Sequence, residues 1–273
     1  ETVREKLIIE EAVSNVLEKF GLEMKNKFDG DLSRNKYYFL DIGSTGRKTN
    51  LHTESDYDFL LMLDKSIIKN KDLMTDITTA LREAIGKRKL SYEDKIVNGY
   101  DFRFVEAKVG SVGPIKIDIT LEGKTDAIDY SSDMCVVDRL NTMESISKED
   151  TIKVRANIIM AKRILKEAGI YKSKLSSEPE GGMSAIGIEN WVLQHGGSFL
   201  DAASSFINTY NEVVAYLMNR GYVSKSSIWN EFKKRYHVYN FGENYYSLRK
   251  DFIPLYGEFI TNNMTEVGLE KMY

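Results

Sequence analysis

The chain has 273 residues, 42% of them hydrophobic, enough for one large core or two modest ones. It contains no run of eighteen apolar residues, so no membrane-spanning helix is expected, and a net charge of −3 is unlike a dedicated duplex-DNA binder, which is usually basic. The single cysteine, Cys135, has no internal disulfide partner, which fits a reducing, cytoplasmic setting.

Taken in chain order, residues 2 to about 28 read as a helix. Val3, Leu7, Ile8, Val13, Val16, Leu17 and Phe20 follow the helical period, and Gly21 offers a stop. Tyr37 to Ile42 is a short apolar run ending at Gly43, hence a strand, and Phe59 to Leu63 is a second. Asp72 to Leu90 reads as a helix with Leu73, Met74, Ile77, Leu81 and Ile85 as its apolar side. Tyr100 to Val109 alternates, and Ile115, Ile117, Ile119 and Leu121 share one face of a further strand. From Lys148 onward the pattern is helical. The expected fold class is α+β: a mixed head over residues 1–147, then a helical domain over 148–273 that closes a nucleotide cleft, with helix 2–28 free to pack on that second domain.

The segment "GSTGRKTNLHTESDYDFLLML", residues 43–63, carries the chemistry. Residues i and i+2 of a strand point to one side, so Asp56 and Asp58 present two carboxylates to one spot. Two bare carboxylates repel unless a cation lies between them, and Mg²⁺ takes oxygen ligands while leaving positions open to phosphate. Asp118, in the middle of the alternating "IKIDITLEG", is the third carboxylate that would complete a two-metal clamp, with Mn²⁺ as the alternative ion. Gly43 lets backbone approach a phosphate, Ser44 adds a hydroxyl, Arg47 and Lys48 add positive charge, and Thr49 joins Gly43, Ser44 and Arg47 as nucleotide-binding candidates. An isolated D-x-D also suits a plain turn between strands. Here a Gly-Ser lies ahead of it, an apolar strand comes next, and a strand-borne aspartate comes later. The P-loop spacing fails, because its second glycine would have to stand where Lys48 does. No His/Cys cluster has zinc spacing, and His52, in the loop before Asp56, is a weaker candidate for ligand or base.

"GSTGRKTNLHTESDYD" is similar to the signature of the DNA-polymerase-β-type nucleotidyltransferases, in the spacing of oligoadenylate synthases and of archaeal-type (class I) CCA-adding enzymes. "VVDRLNTM", residues 136–143, resembles the A-V-D-R-T-P-x-H segment of those CCA-adding enzymes, with Met143 at the histidine. "IIMAKRILKEAGIYKSKL", residues 158–175, resembles their L-L-K-x-F-x-K-x-x-G-x-Y-G helix, and "GGMSAIGIENWVLQHGGSF", residues 181–199, their G-F-S-G-Y-x-x-E motif, with Gly182, Ser184 and Glu189 in register and Ala185 at the second glycine. The resemblance implies that Lys162 and Tyr171 contact the nucleotide triphosphate. It implies Mg²⁺-dependent attack of an acceptor hydroxyl on the α-phosphate of an NTP, with release of pyrophosphate. Asp56 and Asp58 would hold both ions, and Asp118 the one that lowers the pKa of the attacking hydroxyl. Residues 200–273 are short for that family's tRNA-measuring body and tail, so a core lacking them is expected.

Residues 219–250 interleave Arg220, Lys225, Lys233, Lys234, Arg235, Arg249 and Lys250 with Tyr222, Trp229, Phe232, Tyr236 and further aromatics. Basic charge with aromatics suits single-stranded RNA, and Lys233, Lys234, Arg235 and Arg249 are the candidate contacts. A helix with aromatics in its core and lysines in water is the other reading of the same pattern. The expected partners are an NTP and an RNA 3′ end, tRNA or another RNA. A synthase of signalling oligonucleotides or cyclic dinucleotides, or transfer of a nucleotide to a protein or small molecule, is the alternative.

Overall fold

A computed structural model describes residues 2–25, 34–51, 57–85, 87–91, 99–108, 114–123, 132–171, 182–238 and 266–273. The chain divides into two compact units: residues 1–46 with 52–128, and residues 47–51 with 129–273. Among the described residues no helix is long and apolar enough to cross a membrane.

The first unit begins with α1 (Thr2–Lys19). This helix is shorter than expected, because the chain leaves it at Gly21, whose φ of 73° lies in the left-handed region that glycine adopts at little cost. Six strands come after it: β1 (Glu23–Met24), β2 (Lys36–Asp41), β3 (Tyr57–Leu63), β4 (Lys87–Ser91), β5 (Gly99–Lys108) and β6 (Pro114–Gly123). Between β3 and β4 lie α2 (Lys65–Ile68) and α3 (Lys71–Ile85). The sheet order is β1-β2-β3-β6-β5-β4. The β1–β2 and β3–β6 pairs are parallel and the others antiparallel, so the sheet is mixed.

α3 stops at Ile85 instead of running on to Leu90, and Lys87–Ser91 forms edge strand β4. "KRKLS" has no apolar alternation to announce a strand, and lysine-rich short strands are a common way to end a sheet. The core of this unit packs Ile9, Val13 and Leu17 of α1 with Tyr37, Phe39, Phe59, Leu61 and Leu63 of the sheet and Met74, Ile77, Leu81 and Ile85 of α3.

The second unit is helical: α4 (Ser132–Ile146), α5 (Lys148–Glu167), α6 (Ala185–Gln194), α7 (Phe199–Met218), α8 (Lys225–Arg235) and α9 (Glu266–Met272). Helix therefore begins at Ser132, ahead of the change of pattern at Lys148. α5 to α8 each open at a serine, Ser147, Ser184, Ser198 and Ser224, whose hydroxyl accepts an N–H of the first turn. Trp191, Phe206, Phe232 and Tyr236 form an aromatic centre in which Trp191 Nε1 donates to Tyr236 Oη at 2.6 Å. Burial pushes the Tyr236 phenol up to about 12.

Candidate active site

β3 is buried along its length except at Asp58, its one charged residue. Successive residues of a strand face opposite sides. Tyr57, Phe59, Leu61 and Leu63 enter the core with α1 and α3, and Asp58 lies on the other face. The Ile42 N–H donates to the Asp58 carbonyl at 2.8 Å, extending the β2–β3 ladder past its Asp41–Phe59 pair. That bond lays Gly43 against the Asp58 carboxylate. A Cβ at position 43 would overlap Asp58 Oδ2 and stand 2.5 Å from Cγ, so the close approach requires glycine.

On the other side of β3 runs β6, with Tyr57 opposite Ile117, Asp58 opposite Asp118 and Phe59 opposite Ile119. Neighbouring strands stand about 4.8 Å apart, so positions 58 and 118 are adjacent in the sheet. The structure thus gathers Gly43, Asp58 and position 118. Asp56 and His52 lie outside the described residues. Among the described residues no three His, Cys, Asp or Glu side chains converge as a metal site.

The loop after β2 divides between the units at Gly46 and Arg47. Its first half is held in the first unit. Lys6 of α1 donates to the Thr45 carbonyl at 2.8 Å and pairs with Asp41, and Thr45 Oγ1 donates to Asp41 Oδ1 at 3.1 Å. Glu10 lies beside this cluster: burial first, then repulsion by Asp41, pushes its carboxyl up, against the pull of Lys6.

Its second half is gripped by three helices of the second unit. Glu189 of α6, fully buried, pairs with Arg47 and with Lys162 of α5, and accepts the Thr49 hydroxyl at 2.7 Å. The Lys162 ammonium also donates to Thr49 O at 3.0 Å and Thr49 Oγ1 at 3.1 Å. Arg155 Nε, further along α5, donates to the Arg47 carbonyl at 3.1 Å, and its guanidinium meets Glu144 of α4 at 2.7 Å. Between the two pinned residues, Lys48 takes a φ of 57°, a conformation that costs a non-glycine residue roughly 1–2 kcal/mol. Burial alone would raise the Glu189 carboxyl; Arg47 and Lys162 outweigh it and hold it below the usual carboxylate range.

Arg47, Thr49 and Lys162, expected to contact the nucleotide, are packed within the second unit. Each is almost wholly buried, and the three N–H donors of Lys162 meet Glu189 and the two oxygens of Thr49. The reason lies in α5. Its buried stripe runs Thr151, Val154, Arg155, Ile158, Ala161, Lys162, Leu165, with the two cations inside it, and Ile164, expected on the apolar side, is exposed. Glu189 carries more of the site's electrostatics than its motif position suggested. Arg155 and Glu144 were missed. A charged residue seven positions from Lys162, on the same apolar stripe, was the available signal.

Tyr171 is half-buried beyond the end of α5, bridged in backbone to Met183 and packed on the core of the second unit, as is Met143. Ser184 caps α6. Phe232 of α8 and Tyr236, just past its end, are core residues. Arg235 and Lys234 pair with Glu231 at 2.7 and 3.3 Å, and Lys233 lies 5.8 Å over the Trp229 ring. Arg220 and Arg235 both stack on the Tyr216 ring, 4.5 and 4.4 Å from its centroid. Arg249 lies outside the described residues.

No protein-family model matches this chain, and no curated protein matches it. Among solved structures it is similar to a cytoplasmic RNA terminal U-transferase, at 13% identity and a TM-score of 0.48 over 71% of this chain and 48% of that one. It is similar to the MgGTP-bound Cid1 poly(U) polymerase, at 12% identity and a TM-score of 0.47 over 71% of this chain and 50% of that one. It is also similar to the GLD-2–GLD-3 non-canonical poly(A) polymerase complex, at 14% identity and a TM-score of 0.47 over 73% and 55%. The chain spans about half the length of these structures, which are nucleotidyltransferases.

Proposed function

We propose that this chain is a Mg²⁺-dependent nucleotidyltransferase that transfers a nucleoside monophosphate from an NTP to the 3′ hydroxyl of an RNA, tRNA among the candidates. One observation supports this most. A glycine backbone lies against the carboxylate of Asp58, and Asp118 stands in register on the next strand. The turn after β2, Asp58 of β3 and position 118 of β6 then lie on adjacent backbone segments of one sheet.

The donor set fits Mg²⁺. Carboxylate oxygens are its ligands of choice, and the Asp58 carboxylate is packed against the Gly43 backbone. Asp56, Asp58 and Asp118 would hold two such ions, or Mn²⁺. When bound, the ions lower the pKa of the attacking hydroxyl and neutralise charge on the departing pyrophosphate. The chain supplies the rest. Gly43 and Ser44 would cradle the triphosphate, and Tyr171 is the proposed further contact to the nucleotide. Arg47, Thr49 and Lys162 support the loop from inside. The acceptor oxygen bonds to the α-phosphorus as the bond to the bridging oxygen breaks. Positioning and charge stabilisation carry such a reaction. Lys233, Lys234, Arg235 and Arg249 are the proposed contacts to RNA phosphates.

The test is incubation with each α-labelled NTP and Mg²⁺, with and without bulk small RNA. Label in RNA is the expected result; no label transferred to any acceptor would overturn the reading. A second reading, a synthase of short or cyclic signalling oligonucleotides, draws on α8: two of its cations are already paired with Glu231, and its Phe232 is core. Label in short or cyclic products without RNA would favour it, and label on protein or a small molecule would point to those acceptors.

A further inference from the structure

We propose that Glu189 is a positioning residue for this reaction: its enclosed carboxylate gathers Arg47, Thr49 and Lys162, and so orders residues 47–51, the part of the loop that follows Gly43 and Ser44 in the chain. The inference rests on the nucleotidyltransferase reading and extends it to a residue well removed in sequence from the glycine loop.

Four observations converge. Glu189 is 0% exposed, and the partners of its carboxylate are either on the loop, Arg47 and Thr49, or hold the loop, Lys162. Arg155, on the Arg47 carbonyl, and Glu144, which meets Arg155 and Lys48, add polar contacts to this half of the loop from α5 and α4. Lys48, trapped between Arg47 and Thr49, holds a left-handed φ of 57°, and such a conformation persists in a lysine only where its neighbours over-determine it. Finally, only Thr45 and Gly46 separate Ser44 from Arg47. The Gly43–Ser44 turn and the segment held by Glu189 are thus consecutive stretches of one loop.

The carboxylate is needed for its charge as well as its shape. Arg47 and Lys162 bring two cations into one buried place, and Glu189 is the anion both of them meet. Without it their mutual repulsion loses this shared anion, and the left-handed turn at Lys48 loses part of what holds it.

The experiment compares wild type with Glu189→Gln, Thr49→Val and Thr49→Ser in the full chain. Thr49→Val removes the hydroxyl that Glu189 accepts and leaves the charges in place, so it serves if Glu189→Gln does not fold. Amide hydrogen exchange over residues 44–51 is measured without nucleotide, and KM and kcat for the NTP are measured with Mg²⁺. The expected result is faster exchange confined to that segment, and a KM for NTP raised at least ~10-fold with a smaller change in kcat, the size of one lost charge-assisted hydrogen bond. Thr49→Ser should restore both. Wild-type exchange and KM in a folded Thr49→Val, or faster exchange spread evenly over α5 and α6, would overturn the proposal. If the wild type transfers no nucleotide at all, the enzymatic reading fails, and the exchange data alone still decide whether Glu189 orders the loop.

Discussion

Gly43 and Asp58 are packed backbone against carboxylate: a Cβ on residue 43 would take the place of Asp58 Oδ2. One residue earlier, the Ile42 N–H is bonded to the Asp58 carbonyl, so the two strands cannot simply slide apart to make room. Gly43→Ala must therefore push the Asp58 carboxylate away from its present position. The expected outcome is a loss of at least ~10²-fold in kcat, the scale of misplacing a catalytic group by about 1 Å, in a protein that still unfolds cooperatively. Steady-state rates beside a urea melt check it.

Lys162→Met tests the buried ion pair as structure. Removing one partner leaves Glu189 with less compensation in a place without water. Breaking such a pair costs about 3–5 kcal/mol of stability. Urea unfolding of the variant against wild type reads this. A loss below about 1 kcal/mol, the range of an exposed pair, would show that the ammonium is not buried in the protein in solution.

The Glu189 carboxyl, held below its ordinary range by Arg47 and Lys162, also makes stability depend on pH. For an acid whose pKa is lower folded than unfolded, the stabilisation is complete above the unfolded value of about 4.3 and is lost as pH falls through the folded one. Stability should therefore decline below about pH 4.3, and part of that decline should be missing in Glu189→Gln. Unfolding free energies of both proteins, measured from neutral pH down into the acid range, are the check.

α8 separates packing from binding. Phe232 is fully buried against Phe206 and Tyr236, so Phe232→Ala should cost about 3–5 kcal/mol whatever the substrate. Lys233→Ala with Lys234→Ala alters two lysines on the outer side of the helix. It should leave stability within about 0.5 kcal/mol of wild type. If RNA binds here, the pair should also lower the slope of log affinity against log salt by about 2. An unchanged slope would remove α8 from the RNA path.

Much of the architecture can be read in the residues. Apolar runs and alternation mark β2, β3, β5 and β6, because a strand with one buried face repeats every second residue and one buried on both faces reads as a continuous apolar run. Strand ends and the edge strand are harder. "KRKLS" is a strand because β5 pairs with it, and nothing in its own composition says so. Pairing partners are equally silent: alternation places Asp118 on a face, but only the parallel register of β3 with β6 sets it beside Asp58. Lys162 shows the opposite difficulty. On a helix a lysine is usually solvated, and its burial comes from a carboxylate 27 residues on, in a different helix.

The central claim is tested most directly by nucleotide transfer in wild type, Asp58→Asn, Asp118→Asn and the double variant. If the two carboxylates serve one catalytic centre, each single change lowers the rate at least ~100-fold, and the double variant falls little further, as for groups that act as a unit. Transfer that survives either substitution at the wild-type rate would contradict the account.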